Sequence, residues 1–217
     1  MNDYTILFQG DSITDGNRYK DESTRWDLNH QIGHAYPYVI AALLGAKFPK
    51  KKYRFINRGV SGDTIAKVYG RWRPDALVHR PDLVSLLVGV NDVWQAVENG
   101  GGSREKRFEK ILRLLLEEAL EEKPDTRLVL IEPFMLPPAD KREEWAEKLS
   151  LMRALQSAVR RVSEDFGTVF VPTQEMFDRL CEKREPAYWV WDGVHPTEAG
   201  HGALALKWLE TTGLLEA

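Results

Sequence analysis

Asp192 stands three residues before His195, and far from both in sequence stands Ser12. In a helical turn that spacing puts carboxylate and imidazole on one face. The acid can then accept from Nδ1–H and hold Nε2 ready as a base. A serine hydroxyl is a poor nucleophile until such a base takes its proton. Acyl transfer also needs donors for the oxyanion that develops on the carbonyl. Gly62 offers a backbone N–H with no Cβ to hinder approach, Asn91 a side-chain amide, and Ser12 its own N–H. Each has a plainer reading: Ser12 as a helix N-cap, Gly62 as a turn glycine, Asn91 as a cap on the next helix. Nor is the serine segment a G-x-S-x-G elbow, because Thr14 stands where the second glycine should be. Each plain reading is credible singly; all of them together are much less so.

Something must bring these residues together. Short apolar runs at Tyr4–Phe8, Tyr53–Asn57, Leu83–Val88, Leu128–Ile131 and Thr168–Val171 read as strands bounded by Gly, Asn or Pro. They are runs more than alternations, which suits parallel strands covered on both faces. Between them, Phe108, Ile111, Leu112, Leu115 and Ala119 follow the spacing of one buried helical face, with Ser103 as N-cap. Trp145, Leu149, Met152, Leu155, Val159, Val162 and Phe166 do the same, and Gly167 ends that helix. Tyr36 to Leu44 and Glu198 to Leu209 are shorter helical patterns, and Pro133 to Asp140 reads as a loop at the sheet edge. Strand–helix alternation from end to end predicts a single α/β domain over residues 1–217, an open parallel sheet with helices on both faces. Ligands of such sheets bind beyond the carboxyl ends of the strands. The polar clusters 10–16, 58–64, 89–92 and 192–196 should therefore converge on one rim.

In that order, Gly10-Asp11-Ser12, Gly62, Gly89-x-Asn91-Asp92 and Asp192-x-x-His195 resemble the blocks of the SGNH hydrolases, the GDSL esterase superfamily. The resemblance covers the chain from about Tyr4 to Leu209, with no departure from the four blocks. It implies a three-layer αβα sandwich around a five-stranded parallel sheet, flavodoxin-like in arrangement. It implies Ser12 as nucleophile, His195 as general base, Asp192 as its orienter, and Ser12 N–H, Gly62 N–H and the Asn91 amide as oxyanion hole. His201, by the same resemblance, braces the catalytic segment. Gly10 to Asn17, Asn91-Asp92-Val93-Trp94 and Trp191 to Pro196 look most like bacterial acetyl xylan esterases. That implies a serine esterase removing small acyl groups, acetyl foremost, from carbohydrate hydroxyls, with no cofactor.

Trp26, Trp94, Trp189 and Trp191 lie near these segments, and a flat aromatic can pack on a sugar or line an acyl pocket. Trp191 beside Asp192, together with Trp94 and Asp11, forms the candidate substrate-binding set; core filling is the plainer role for any one tryptophan. A metal held by Asp11, Asp15, Asp92 and His195 is conceivable, but no H-E-x-x-H or Cys/His ligand pattern supports it. The chain's 30 basic and 33 acidic residues, a net charge of −3, leave no electrostatic footprint for nucleic acid. No apolar run approaches the roughly 18 residues of a membrane span, no secretory leader is evident at Met1-Asn2-Asp3, and Cys181 has no partner for an intrachain disulfide. A cytoplasmic location follows as the expectation. Exposed aromatics suit a subunit interface as well as a sugar site, so a homo-oligomer stays open. Two other functions remain: a lysophospholipase or thioesterase with the same machinery, and a carbohydrate-binding protein on an inactive scaffold. An intact triad speaks against the second.

Overall fold

Five strands form the sheet of the computed structural model, which describes residues 4–21, 28–99 and 104–216. They are β1 (Tyr4–Gly10), β2 (Tyr53–Asn57), β3 (Leu83–Leu87), β4 (Arg127–Ile131) and β5 (Val169–Val171). All neighbours pair in parallel, in the order β2-β1-β3-β4-β5. The chain steps from β1 to β2 on one side and then crosses back to β3 on the other. The change of direction therefore lies between β1 and β3, where sheets of this order open a crevice. The predicted strands are all present, with ends shifted by a residue or two.

Helices fill the connections. α1 (Ser12–Asp15) follows β1 at once, and α2 (Leu28–Gln31) and α3 (Tyr36–Lys47) lead on to β2. α4 (Ile65–Gly70) and α5 (Trp72–Asp75) precede β3; α6 (Val90–Glu98) and α7 (Glu105–Glu122) precede β4. α8 (Ala146–Phe166) crosses to β5, and α9 (Thr173–Cys181), α10 (Pro186–Trp189) and α11 (Glu198–Thr212) follow. α3 and α11 pack together on one face of the sheet, and α4, α7 and α8 on the other. The three layers agree with the expected α/β sandwich. The Ser103 cap expected for α7 lies outside the described residues.

The α3–α11 layer is keyed to the middle of the sheet by aromatic residues. Phe8 on β1 and Ser85 on β3 are register partners, so both point to that face. Trp208 of α11 packs against Phe8 at 5.7 Å between ring centroids and donates its indole N–H to Ser85 Oγ at 2.9 Å. The hydroxyl satisfies a polar edge that would otherwise be stranded in the core. Tyr36 of α3 meets the same Phe8 edge to face at 5.8 Å.

One expectation needs correction here. The segment from Pro133 to Asp140 starts as a loop but not at the sheet edge, since β4 lies inside the sheet and residues 133–136 are buried. Phe134 packs on Phe177 of α9 at 4.6 Å, and the Leu136 N–H donates to the Gly193 carbonyl at 2.9 Å. Prolines suit this path because a buried segment outside any ladder has fewer N–H groups to satisfy. No helix among the described residues is long and apolar enough to cross a membrane.

Candidate active site

β1 delivers Ser12 to the carboxyl edge through a tight passage. A Cβ at Gly10 would lie 2.2 Å from the Leu87 carbonyl oxygen of β3, so only glycine lets the two strand ends run this close. Asp11 then caps α1, its Oδ1 accepting the Ile13 N–H at 3.0 Å. The cap is therefore Asp11, and Ser12, first residue of the helix, keeps its hydroxyl for other work. Ser12 Oγ lies 2.9 Å from His195 Nε2. His195 Nδ1 in turn lies 2.6 Å from Asp192 Oδ2.

The acid and the imidazole do not share a helical turn, as their spacing predicts. They sit in a tight loop closed by an antiparallel bridge between Val190 and Pro196 and by a Trp191 N–H to His195 carbonyl bond of 3.1 Å. Gly193 adopts φ +88°, which takes the chain out of the helical path. A Cβ there would meet Trp145 Cη2 at 2.6 Å, so glycine is required on both counts. Asp192 organises the loop: its Oδ1 accepts the backbone N–H groups of His195 at 2.7 Å and Val194 at 2.9 Å, leaving Oδ2 for the ring. Burial pushes this carboxyl up, but the His195 N–H, the imidazole and the Val194 N–H outweigh it and hold Asp192 below the ordinary carboxylate value. An ionised Asp192 favours the tautomer with a proton on Nδ1, so the Nε2 lone pair can accept the Ser12 hydroxyl proton.

The candidate oxyanion donors arrive from neighbouring strand ends. Gly62 lies in the turn after β2 at φ +79°, with open space where a Cβ would be. Ser61 in that turn is tied to α1, its N–H donating to Asp15 Oδ2 at 3.0 Å. Asn91 is the second residue of α6, whose N-cap is Gly89, so it is not the cap its sequence position suggests. Its Nδ2 donates to the Asp63 carbonyl at 3.0 Å, which leaves one amide proton uncommitted. Among the described residues, the backbone N–H groups of Ser12 and Gly62 have no protein acceptor. Asp92 binds α4 to α6, its carboxylate accepting the Ile65 N–H at 3.0 Å. Burial pushes Asp92 up to about 7 against the pull of that bond, and burial likewise raises Asp11 to about 7 against the Ile13 N–H.

Asp11 is 1% exposed and spent on its cap, so it is no substrate contact. Trp191 is 63% exposed, its ring 6.0 Å from that of His195 and inclined by 22°. Trp94, one turn beyond Asn91, packs edge-on against Trp145 at 5.1 Å. Trp189 is held from behind, donating Nε1–H to the Leu180 carbonyl at 3.1 Å, and Trp26 lies outside the described residues. His201 braces α3 and not the catalytic loop: its Nδ1 accepts the Tyr36 N–H at 3.2 Å, and burial holds the imidazole down at about 4. The four carboxylate and imidazole groups weighed as a metal set are each committed elsewhere. Among the described residues, no group of three or more His, Cys, Asp or Glu could hold a metal ion. Sequence reasoning missed Trp145, which reads as one more core position of α8 but closes over Gly193. It also missed Arg71, whose side chain reaches Asp63, Gln9 and Gly10.

Residues 8–203 match the model of the GDSL-like lipase/acylhydrolase family. The chain is 33% identical to an acetylxylan esterase of Geobacillus stearothermophilus, over 96% of this chain and 93% of that protein. A solved GDSL-like lipase from Parabacteroides merdae superposes with a TM-score of 0.89 at 37% identity, covering 98% of this chain and 96% of the other. A solved acetylxylan esterase from Geobacillus stearothermophilus superposes with a TM-score of 0.81 at 30% identity, covering 97% and 94%. Catalytic mutants of that esterase carry alanine in place of an aspartate, a serine and a histidine.

Proposed function

We propose, starting from the chain's membership of the GDSL-like lipase/acylhydrolase family, that this carboxylic ester hydrolase removes acetyl groups from the hydroxyls of a carbohydrate. Ser12 Oγ attacks the ester carbonyl carbon while His195 Nε2 takes the hydroxyl proton. The oxyanion is held by the Ser12 N–H, the Gly62 N–H and the Asn91 amide. Collapse of the tetrahedral intermediate breaks the ester C–O bond, and His195 returns its proton to the departing sugar oxygen. The acetyl group is then on Ser12. His195 next takes a proton from water, the hydroxide attacks the acetyl carbonyl, and acetate leaves as Ser12 recovers its proton. Asp192 stays ionised throughout and steadies the imidazolium.

The observation that carries this reading is the unbroken relay of 2.9 Å and 2.6 Å from Ser12 Oγ through the imidazole to Asp192. The acetylated-carbohydrate assignment is supported by likeness to the acetylxylan esterase. An open site supports it too: the His195 side chain is 40% exposed, which leaves room for a bulky alcohol partner. Trp191 and Trp94 are the aromatic surfaces for the sugar. We take the chain as one catalytic domain, and its single cysteine supports a cytoplasmic location. The test is a series of p-nitrophenyl esters from acetyl to dodecanoyl, followed by acetylated xylo-oligosaccharide, with Ser12→Ala as control. Acetyl should be preferred over octanoyl, and Ser12→Ala should remove turnover. A kcat/KM that climbs with chain length would hand the site to the lysophospholipase or thioesterase alternative.

A further inference from the structure

Arg71 stands at the joint between α4 and α5, where an arginine reads as ordinary surface charge. Its side chain is instead only 20% exposed, and its donors are fully used. Nε donates to Asp63 Oδ2 at 2.7 Å; Nη1 donates to the Arg58 carbonyl at 2.7 Å and to the Asp75 carboxylate. Nη2 donates to Gln9 Oε1 at 2.9 Å and to the Gly10 carbonyl at 3.3 Å. A guanidinium has five N–H groups in a fixed plane, and the structure gives it five acceptors.

Four of the five acceptors lie on the segments that carry Ser12 and Gly62, and the fifth, Asp75, is on α5. Gly10 leads through Asp11 into Ser12. Asp63 follows Gly62, and its carbonyl holds the Asn91 amide at 3.0 Å. One planar group is thus bonded two residues before Ser12 and directly beside Gly62, and it reaches Asn91 through Asp63. We infer that Arg71 is a positioning residue, which fixes the spacing of the Ser12, Gly62 and Asn91 donors by clamping Gly10 to Asp63. It acts through those two residues and not on the substrate. Oxyanion donors must be held to within about 0.5 Å of the productive geometry, and a misplacement of about 1 Å can cost roughly 10²-fold in rate. The end of β1, the turn after β2 and α5 meet here; backbone bonds tie Arg58 to Phe8 at 2.8 Å and Val60 to Gly10 at 3.1 Å, and the guanidinium adds the side-chain tie to Asp63, at the far end of that turn beside Gly62.

The inference rests on the serine esterase reading, and the experiment separates the two. Arg71→Lys and Arg71→Met are compared with wild type for kcat per titrated active site, KM on p-nitrophenyl acetate, and inhibition by a small boronic acid. The boronate forms a tetrahedral adduct on Ser12 and so reports on the oxyanion donors directly. Lysine keeps the charge without the fork, so kcat should fall about tenfold for Arg71→Lys and about 10²-fold for Arg71→Met. KM should stay within about threefold, and boronate affinity should weaken in step with kcat. Asp63→Asn keeps a neutral acceptor for Nε and should cost about three- to tenfold in kcat; it decides the matter if Arg71→Met does not fold. Variants that melt at lower temperature yet keep wild-type kcat and boronate affinity would reduce Arg71 to a structural ion pair and overturn the inference. Wild-type enzyme without Ser12-dependent turnover would instead sink the esterase reading, and this inference with it.

Discussion

Asn91→Ala separates catalysis from stability at one position. Among the described residues the Asn91 side chain makes a single hydrogen bond, Nδ2 to the Asp63 carbonyl at 3.0 Å. α6 starts from Gly89 without a side-chain cap, so no capping energy is at stake. Losing that bond should cost about 1 kcal/mol of stability, which for a chain of this size lowers Tm by roughly 2–4 °C. In the proposed mechanism the second amide proton is the one offered to the oxyanion. Removing one such donor typically lowers kcat about 10²- to 10³-fold, or roughly 3–4 kcal/mol of transition-state stabilisation. The interaction strengthens as the carbonyl oxygen acquires charge, so KM should change little. Steady-state kinetics on p-nitrophenyl acetate and a thermal melt of the same preparation measure both quantities. A variant with the modest Tm loss and wild-type kcat would remove Asn91 from the oxyanion hole.

Asp192→Asn should fold, because one oxygen remains for the Val194 and His195 N–H groups, yet it presents an amide to Nδ1 and should lower kcat by about 10⁴; unchanged turnover would contradict the relay. Gly193→Ala should impair both folding and turnover, since its Cβ would press on Trp145 at 2.6 Å and its backbone has φ +88°; an active protein with normal Tm would show that the loop can move aside. His201 is held neutral at about 4 when folded and titrates near 6.5 when unfolded, so the unfolded chain binds the extra proton between those values. Its contribution is therefore present above about 6.5 and lost as pH falls toward 4, up to about 3 kcal/mol; His201→Asn should flatten Tm across that window, and an unchanged slope would assign it to other groups. EDTA should leave turnover intact, because Asp11, Asp92 and His195 are already bonded to protein groups; loss on chelation with recovery on adding a divalent ion would revive a metal role.

The sheet was legible because burial on both faces leaves its strands as unbroken apolar runs, and the end of α8 because Gly167 accepts the left-handed conformation at φ +62°. The first three site blocks were legible because each places a chemically special residue in the turn after a strand, and the fourth because its acid and imidazole stand close together in sequence. Other features were hidden for physical reasons. A separation of three residues suits a helical turn, but Asp192 folds back on its own loop, bonding the two N–H groups that a helix would have oriented elsewhere. Asp11 and Ser12 are both good N-caps; which one serves is decided by the direction in which β1 leaves the sheet. Trp145 continues the periodic face of α8, and periodicity does not show that its neighbour is the catalytic loop. Arg71 carries no local signature, because its acceptors at Gln9, Gly10, Arg58 and Asp63 converge through the fold alone.

Ser12 and His195 are bonded to each other across 183 residues of sequence. During synthesis at about 5–20 residues per second, Ser12 would wait roughly ten to forty seconds for His195. A contact this distant in sequence also closes late, since its loop entropy is repaid only after the strands between have assembled. The pair forms only once the loop at 190–196, just before α11, has reached the end of β1. On the proposed mechanism, ester hydrolysis therefore doubles as a readout of assembly: any species that turns over substrate has joined the end of its first strand to the loop that precedes its last helix.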